Sequence, residues 1–199
     1  WYLLVAPSLI LIFLALLLPI YLKRDGLSLE ELGFRVKPRA RDFALGVAMG
    51  VCIKMVNLPV LKLGMWLPHG APVNVSMIEQ IELMGVIGPA EGLGLLFVCI
   101  IRAPILEELL YRGVVITSLR ACWGSSRRND LIAAVVSGAI FSMAHGLGHS
   151  LYYGVYFLIG LALAILYQRT GSLNAVMIAH AVINGIPSIR AYVSSLLAG

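Results

Sequence analysis

The chain has 199 residues, 60% of them hydrophobic and 13% charged, with a formal net charge of +5 and a mean hydropathy of +0.92. A soluble domain is nearer half apolar and a quarter charged, so this balance excludes an ordinary water-soluble globule and indicates a single membrane domain, residues 1–199, built from helices. The basic residues cluster in connectors, which reads as membrane topology and excludes a nucleic-acid surface.

The first predicted helix covers about residues 1–22, enough to cross a hydrocarbon core of about 30 Å. It lacks a preceding basic region and a small-residue cleavage site, so it reads as a spanning helix rather than a leader. The connector of about residues 23–41 holds Lys23, Arg24, Arg35, Lys37, Arg39 and Arg41; the positive-inside rule makes it cytoplasmic. Within it, Ser28-Leu29-Glu30-Glu31-Leu32-Gly33 predicts a capped helical turn at the membrane surface: serine cap, glutamates in the first turn, glycine stop.

A second helix is expected over about residues 42–67, its pattern broken at Pro59. Residues 68–74 read as an outer loop containing His69, and residues 75–86, with Glu79, Gln80 and Glu82, as interfacial rather than spanning. A third helix starts near Pro89 or Glu91 and runs to about Leu119, and a second basic cluster follows with Arg120, Arg127 and Arg128. The fourth helix spans about 131–145 and ends at Gly146-Leu147-Gly148. The fifth covers about 151–167, and the short turn after it makes the fifth and sixth antiparallel neighbours. The sixth covers about 173–186 and is stopped by Pro187, with a weakly apolar segment reaching Leu197. Cys52, Cys99 and Cys122 have no disulfide or zinc-knuckle spacing and read as small buried hydrophobes.

Against this apolar background, Ala103-Pro104-Ile105-Leu106-Glu107-Glu108-Leu109-Leu110-Tyr111-Arg112-Gly113 is out of place. A charge at the centre of a bilayer helix costs about 2.5–3.5 kcal/mol on insertion scales. Glu108 and Arg112 are four apart and share a helix face, so they can pair, while Glu107 is turned about 100° away. Phe141 lies one turn before His145, and His180 one turn before Asn184. If these helices touch, a carboxylate, two imidazoles and a carboxamide converge beside a neutralised second carboxylate. A carboxylate with a histidine can deprotonate water, and a histidine with an asparagine can stabilise an oxyanion. Glu107, His145 and His180 could equally hold zinc. Taken singly, each residue has a plainer reading: interhelical hydrogen bonding for either histidine, a structural ion pair for Glu108 with Arg112, packing for Phe141. His149 is four residues beyond His145, but the intervening glycines end the helix.

In this order, Glu107-Glu108-x-x-x-Arg112, Phe141-x-x-x-His145 and His180-x-x-x-Asn184 resemble the three motifs of the CAAX-protease and bacteriocin-processing (CPBP, or Abi) intramembrane proteases. That family includes the prenyl-protein endopeptidase of the Ras-converting type. The resemblance covers about residues 92–188, the motif-bearing core. It implies an all-α, polytopic transmembrane bundle of about six to eight helices, with an active site within the bilayer that opens toward the cytoplasm. It also implies that Glu107 and His145 activate water, that His180 and Asn184 form the oxyanion site, and that Glu108 and Arg112 brace Glu107, with Phe141 in support. No cofactor is required on the metal-free route; zinc held by Glu107, His145 and His180 is the other route. The expected partners are the lipid bilayer and a membrane-anchored or lipid-linked peptide, with no nucleic acid. The short chain suits a multi-pass protein of a prokaryotic cytoplasmic membrane. The competing readings are a non-proteolytic immunity or scaffold protein of the same family and a small transporter. Against the latter, the sequence has no paired broken helices or inverted repeat.

Overall fold

The computed structural model describes residues 18–24, 26–64, 89–145 and 150–198, and among these every regular element is a helix. The loop expected over 68–74, the interfacial segment over 75–86, the Gly146-Leu147-Gly148 stop, His69, His149 and most of the first expected span lie outside the described residues.

The first labelled helix, α1, is Ala40–Gly64. Asp42 fixes its start: its Oδ2 accepts the Arg39 amide at 3.2 Å, and Arg35 Nη1 lies 3.8 Å from the same oxygen. Pro59 sits inside α1 without ending it. Residues 89–123 form one continuous rod, α2, made of Pro89–Leu96, Phe97–Arg102, Ala103–Glu108, Leu109–Ile116 and Thr117–Trp123. Its junctions keep right-handed helical dihedrals. Phe97–Arg102 and Leu109–Ile116 are π-helical, so the segment carrying both glutamates lies between two widened turns. Such widened turns recur at functional sites.

Gly124, at a φ of 72°, turns the chain into α3, Arg127–His145. Ser126 caps α3, its Oγ accepting the Asn129 amide at 3.1 Å. Arg120 clasps both oxygens of Asp130 at 2.8 and 3.2 Å, which ties the end of α2 to the first turn of α3 in a planar fork. Helix α4 is Ser150–Thr170. After Gly171 (φ of 59°), Ser172 caps α5, Leu173–Ala198, through the Ala175 amide at 3.2 Å.

Three close helix pairs, α1 with α5, α2 with α5 and α3 with α4, make up most of the bundle. Small residues set the first and the last of these crossings. A Cβ at Gly46 would lie 2.6 Å from the Ala175 carbonyl oxygen, and one at Gly50 would lie 2.7 Å from that of Ala179. On the other pair, a Cβ at Gly160 would lie 2.9 Å from Gly138 Cα. The core is apolar and runs through Ile116, Phe141, Leu163, Leu173 and Val176.

The expected order and antiparallel pairing of the helices hold, with one addition and two corrections. The 28–33 turn is capped reciprocally, Ser28 N to Glu31 Oε2 at 2.6 Å and Glu31 N to Ser28 Oγ at 3.2 Å, and it docks on the protein. Leu32 is 1% exposed, its carbonyl accepts Tyr167 Oη at 3.0 Å, and the Gly33 carbonyl accepts the Leu173 amide at 3.0 Å. Second, α5 passes straight through Pro187. The proline removes the amide that would serve the Ile183 carbonyl; one residue on, the Ser188 hydroxyl donates to the Asn184 carbonyl at 2.7 Å, and the helix continues. Third, Cys52 and Cys122 are exposed, and Cys99 alone of the three is buried.

Candidate active site

Four helices contribute side chains to one cluster. Glu107, Glu108, Tyr111 and Arg112 come from α2, Phe141 and His145 from α3, Tyr156 and the Gly160 carbonyl from α4, and His180 and Asn184 from α5.

At its base, Arg112 and Glu108 are fully buried. Arg112 Nη1 lies 3.0 Å from Glu108 Oε1 and 2.9 Å from Oε2, and Nη2 donates to the Gly160 carbonyl at 2.8 Å. The guanidinium also lies 5.8 Å from the Tyr111 ring centroid and 5.1 Å from that of Phe141, within reach of a cation–π interaction. Burying a charged pair costs several kcal/mol per ion, which only good geometry and further hydrogen bonds offset. The Gly138–Gly160 approach is what brings the α4 carbonyl within reach of Arg112.

His180 Nδ1 is 2.6 Å from Glu108 Oε1. A carboxylate already accepting from arginine can only accept here, so Nδ1 carries the proton and the ring presents Nε2 to the other side. His145 has the same arrangement. Its Nδ1 lies 2.8 Å from the Phe141 carbonyl, an obligate acceptor, so its Nε2 is the free nitrogen. Both Nε2 atoms face Glu107 Oε2, His145 at 3.3 Å and His180 at 3.9 Å, and that oxygen is buried with no protein hydrogen-bond donor aligned on it. With both imidazoles neutral, three acceptors converge on one point. A donor is needed to join them, either a water molecule or a proton on one of the rings.

Asn184 is placed by a defect in α2. The Ala103 amide bonds the Val98 carbonyl, five residues back. The next amide in that register belongs to Pro104, which has no N–H, so the Cys99 carbonyl loses its partner. Asn184 Nδ2 donates to it at 3.2 Å. The carboxamide has a second N–H left over.

The structure thus brings Glu107, Glu108, Arg112, Phe141, His145 and His180 together, with Asn184 one turn along α5 from His180. Glu107, His145 and His180 were also the residues considered for zinc. Among the described residues, no group of three or more His, Cys, Asp or Glu side chains is arranged to hold a metal ion.

Residues 89–186 match the family model described as type II CAAX prenyl endopeptidase, Rce1-like. This stretch is similar to the Rce1-like family. The Rce1-like segment includes every residue of the cluster, while α1 and the connector before it lie outside the match. Comparison of the chain with curated proteins and with solved structures gives no match in either.

Three contributors to the Rce1-like site escaped the sequence reading. Tyr156 stacks on His145 with ring centroids 5.0 Å apart; three tyrosines in five positions of an apolar helix were its signal. Gly160 supplies a carbonyl, and its only mark was the pairing of small residues, with Gly138 opposite. Ser137 Oγ donates to the Tyr111 carbonyl at 3.1 Å, fastening α3 to the π-helical turn, and nothing in the linear pattern indicated it.

Proposed function

We propose that the chain is a multi-pass intramembrane endopeptidase that hydrolyses a peptide bond of a membrane-anchored or lipid-linked substrate by a water held between Glu107 and His145. The observation that carries this reading is the convergence of two imidazole Nε2 atoms on the buried Glu107 Oε2, at 3.3 and 3.9 Å. In the reaction, the water donates one O–H to the carboxylate and one to His145 Nε2. As its oxygen attacks the scissile carbonyl carbon, the proton passes to this pair, and it is returned to the leaving amine when the tetrahedral intermediate collapses. The oxyanion forms beside His180 Nε2 and Asn184, and the spare Asn184 N–H donates to it. Glu108 and Arg112 hold His180 and the α2 turn in place.

Membrane embedding is supported by the stretch Leu173–Ser194, which is long and apolar enough to cross a bilayer. It is also supported by large apolar side chains left uncovered on each labelled helix: Met55 and Val56 on α1, Phe97 and Ile101 on α2, Met143 on α3, Leu158 on α4, and Ile189 and Val193 on α5. Apolar surface on this scale needs an apolar surrounding. The connector is joined to the turn between α4 and α5 by Leu32 and Gly33, and Gln168 Nε2 reaches the Asp130 carbonyl at 2.7 Å. Both basic clusters therefore gather at one end of the bundle, which favours that end as the cytoplasmic one.

The test is cleavage of a quenched fluorescent peptide, bearing a farnesylated cysteine followed by three residues, by purified protein in liposomes. Wild-type protein is expected to cleave it and Glu107→Gln to fail. Full cleavage by Glu107→Gln would remove Glu107 from the mechanism.

A further inference from the structure

His145 lies on α3, Arg127–His145. Two of its supports are on its own helix. Its Nδ1 bonds the Phe141 carbonyl, and its ring stacks on Phe141 at 4.3 Å and 26°. Both come from Phe141, one turn back on α3, so they tie the imidazole to its own helix. The ring stacking that comes from another helix is that of Tyr156 on α4, at 5.0 Å and 28°.

We propose that Tyr156 is a positioning residue for His145: its aromatic ring holds the imidazole at the angle that keeps Nε2 on Glu107. The Phe141 and Tyr156 centroids are 6.4 Å apart, so the three rings close a compact triangle and the imidazole is braced from two directions. Phe141 in turn packs edge-on against His180 at 5.8 Å and against Tyr111 at 5.3 Å. The aromatic cluster therefore links the two histidines to α2 and α4. The His145 side chain is 26% exposed, so its own burial does not immobilise it. Tyr156 is anchored on α4, which the Gly138–Gly160 contact holds against α3. The acting feature is the ring face, since a stacking contact needs no hydroxyl.

This inference rests on the endopeptidase reading, and two measurements separate the two claims. The first compares Tyr156→Phe and Tyr156→Leu with wild type in the farnesylated-peptide assay, using preparations matched for thermal unfolding. Tyr156→Phe should keep kcat and KM within about 2-fold. Tyr156→Leu should lower kcat by about 10- to 100-fold with KM within about 2-fold, because a misaligned catalytic group costs rate rather than binding. The second needs no substrate: carbethoxylation of His145 by diethyl pyrocarbonate, mapped by mass spectrometry, with His180 (4% exposed) as the internal reference. Reaction at His145 should rise several-fold in Tyr156→Leu and stay at the wild-type rate in Tyr156→Phe. Unchanged kcat in Tyr156→Leu, a loss expressed in KM, or an equal loss in Tyr156→Phe would overturn the brace. So would equal carbethoxylation in all three proteins. If wild-type protein does not cleave while the carbethoxylation pattern holds, the brace stands and the endopeptidase reading falls.

Discussion

Nδ1 of His180 and Oε1 of Glu108 are 2.6 Å apart, the shortest polar contact in the cluster, and the same carboxylate is paired with Arg112. Glu108 therefore has two tasks. It balances a buried guanidinium, and it fixes which nitrogen of His180 carries the proton and where the other one points. A carboxylate behind a catalytic histidine sets tautomer and orientation without taking the proton itself.

Glu108→Gln tests the orienting task. The amide cannot balance Arg112 and can present an N–H to His180 Nδ1, which would reverse the tautomer. We expect kcat to fall at least about 100-fold with little change in KM. Unchanged kcat in steady-state cleavage would remove Glu108 from the mechanism.

Arg112→Leu tests the structural task. It leaves Glu108 buried without a counter-charge and strands the Gly160 carbonyl, for an expected loss of about 3–5 kcal/mol of stability. Arg112→Lys should recover only part of it, because a single ammonium cannot serve both Glu108 and Gly160 as the fork does. Thermal unfolding in detergent reads both variants, and a wild-type midpoint for Arg112→Leu would contradict the assignment.

Much of this pair was legible in the sequence, because spacing of four on a helix is a local property. The same holds for Phe141 with His145 and for His180 with Asn184, and for the order of the helices. What could not be read depended on contacts between distant segments. The burial of Leu32 comes from docking against Tyr167 and Leu173, and the place of Tyr156 from the crossing of α3 and α4. Cys52 and Cys122 illustrate another limit. In a chain with an apolar exterior, being apolar no longer signals being inside.

Asn184→Ala should uncover the Cys99 carbonyl and remove an oxyanion donor together. The expected costs are about 1–3 kcal/mol of stability and about 100- to 1,000-fold in kcat. Asn184→Asp keeps the volume but sets an acceptor against that carbonyl, so it should be no better. Kinetics on folded, monodisperse protein check this, and near-normal kcat in Asn184→Ala would leave Asn184 a purely structural role.

Gly160→Ala puts a methyl group 2.9 Å from Gly138 Cα. The α3–α4 crossing must widen, at about 1–3 kcal/mol, and the carbonyl withdraws from Arg112. The unfolding midpoint and kcat should fall together. A midpoint equal to wild type would show that the crossing has slack.

On the proposed water route, removal of metal leaves the reaction intact. Protein dialysed against a chelator and assayed in chelator is expected to retain wild-type kcat. Loss of activity that added zinc restores would replace this route with one in which Glu107, His145 and His180 bind the ion.

The most direct measurement is kcat for Glu107→Gln beside wild type, on the same farnesylated peptide in the same liposomes, with both proteins shown to be folded. The glutamine keeps the shape of the side chain and removes the charge that His145 and His180 face. The account predicts a loss of at least about 100-fold, the lower range for a positioned acid–base group; a rate within about 2-fold of wild type would contradict it.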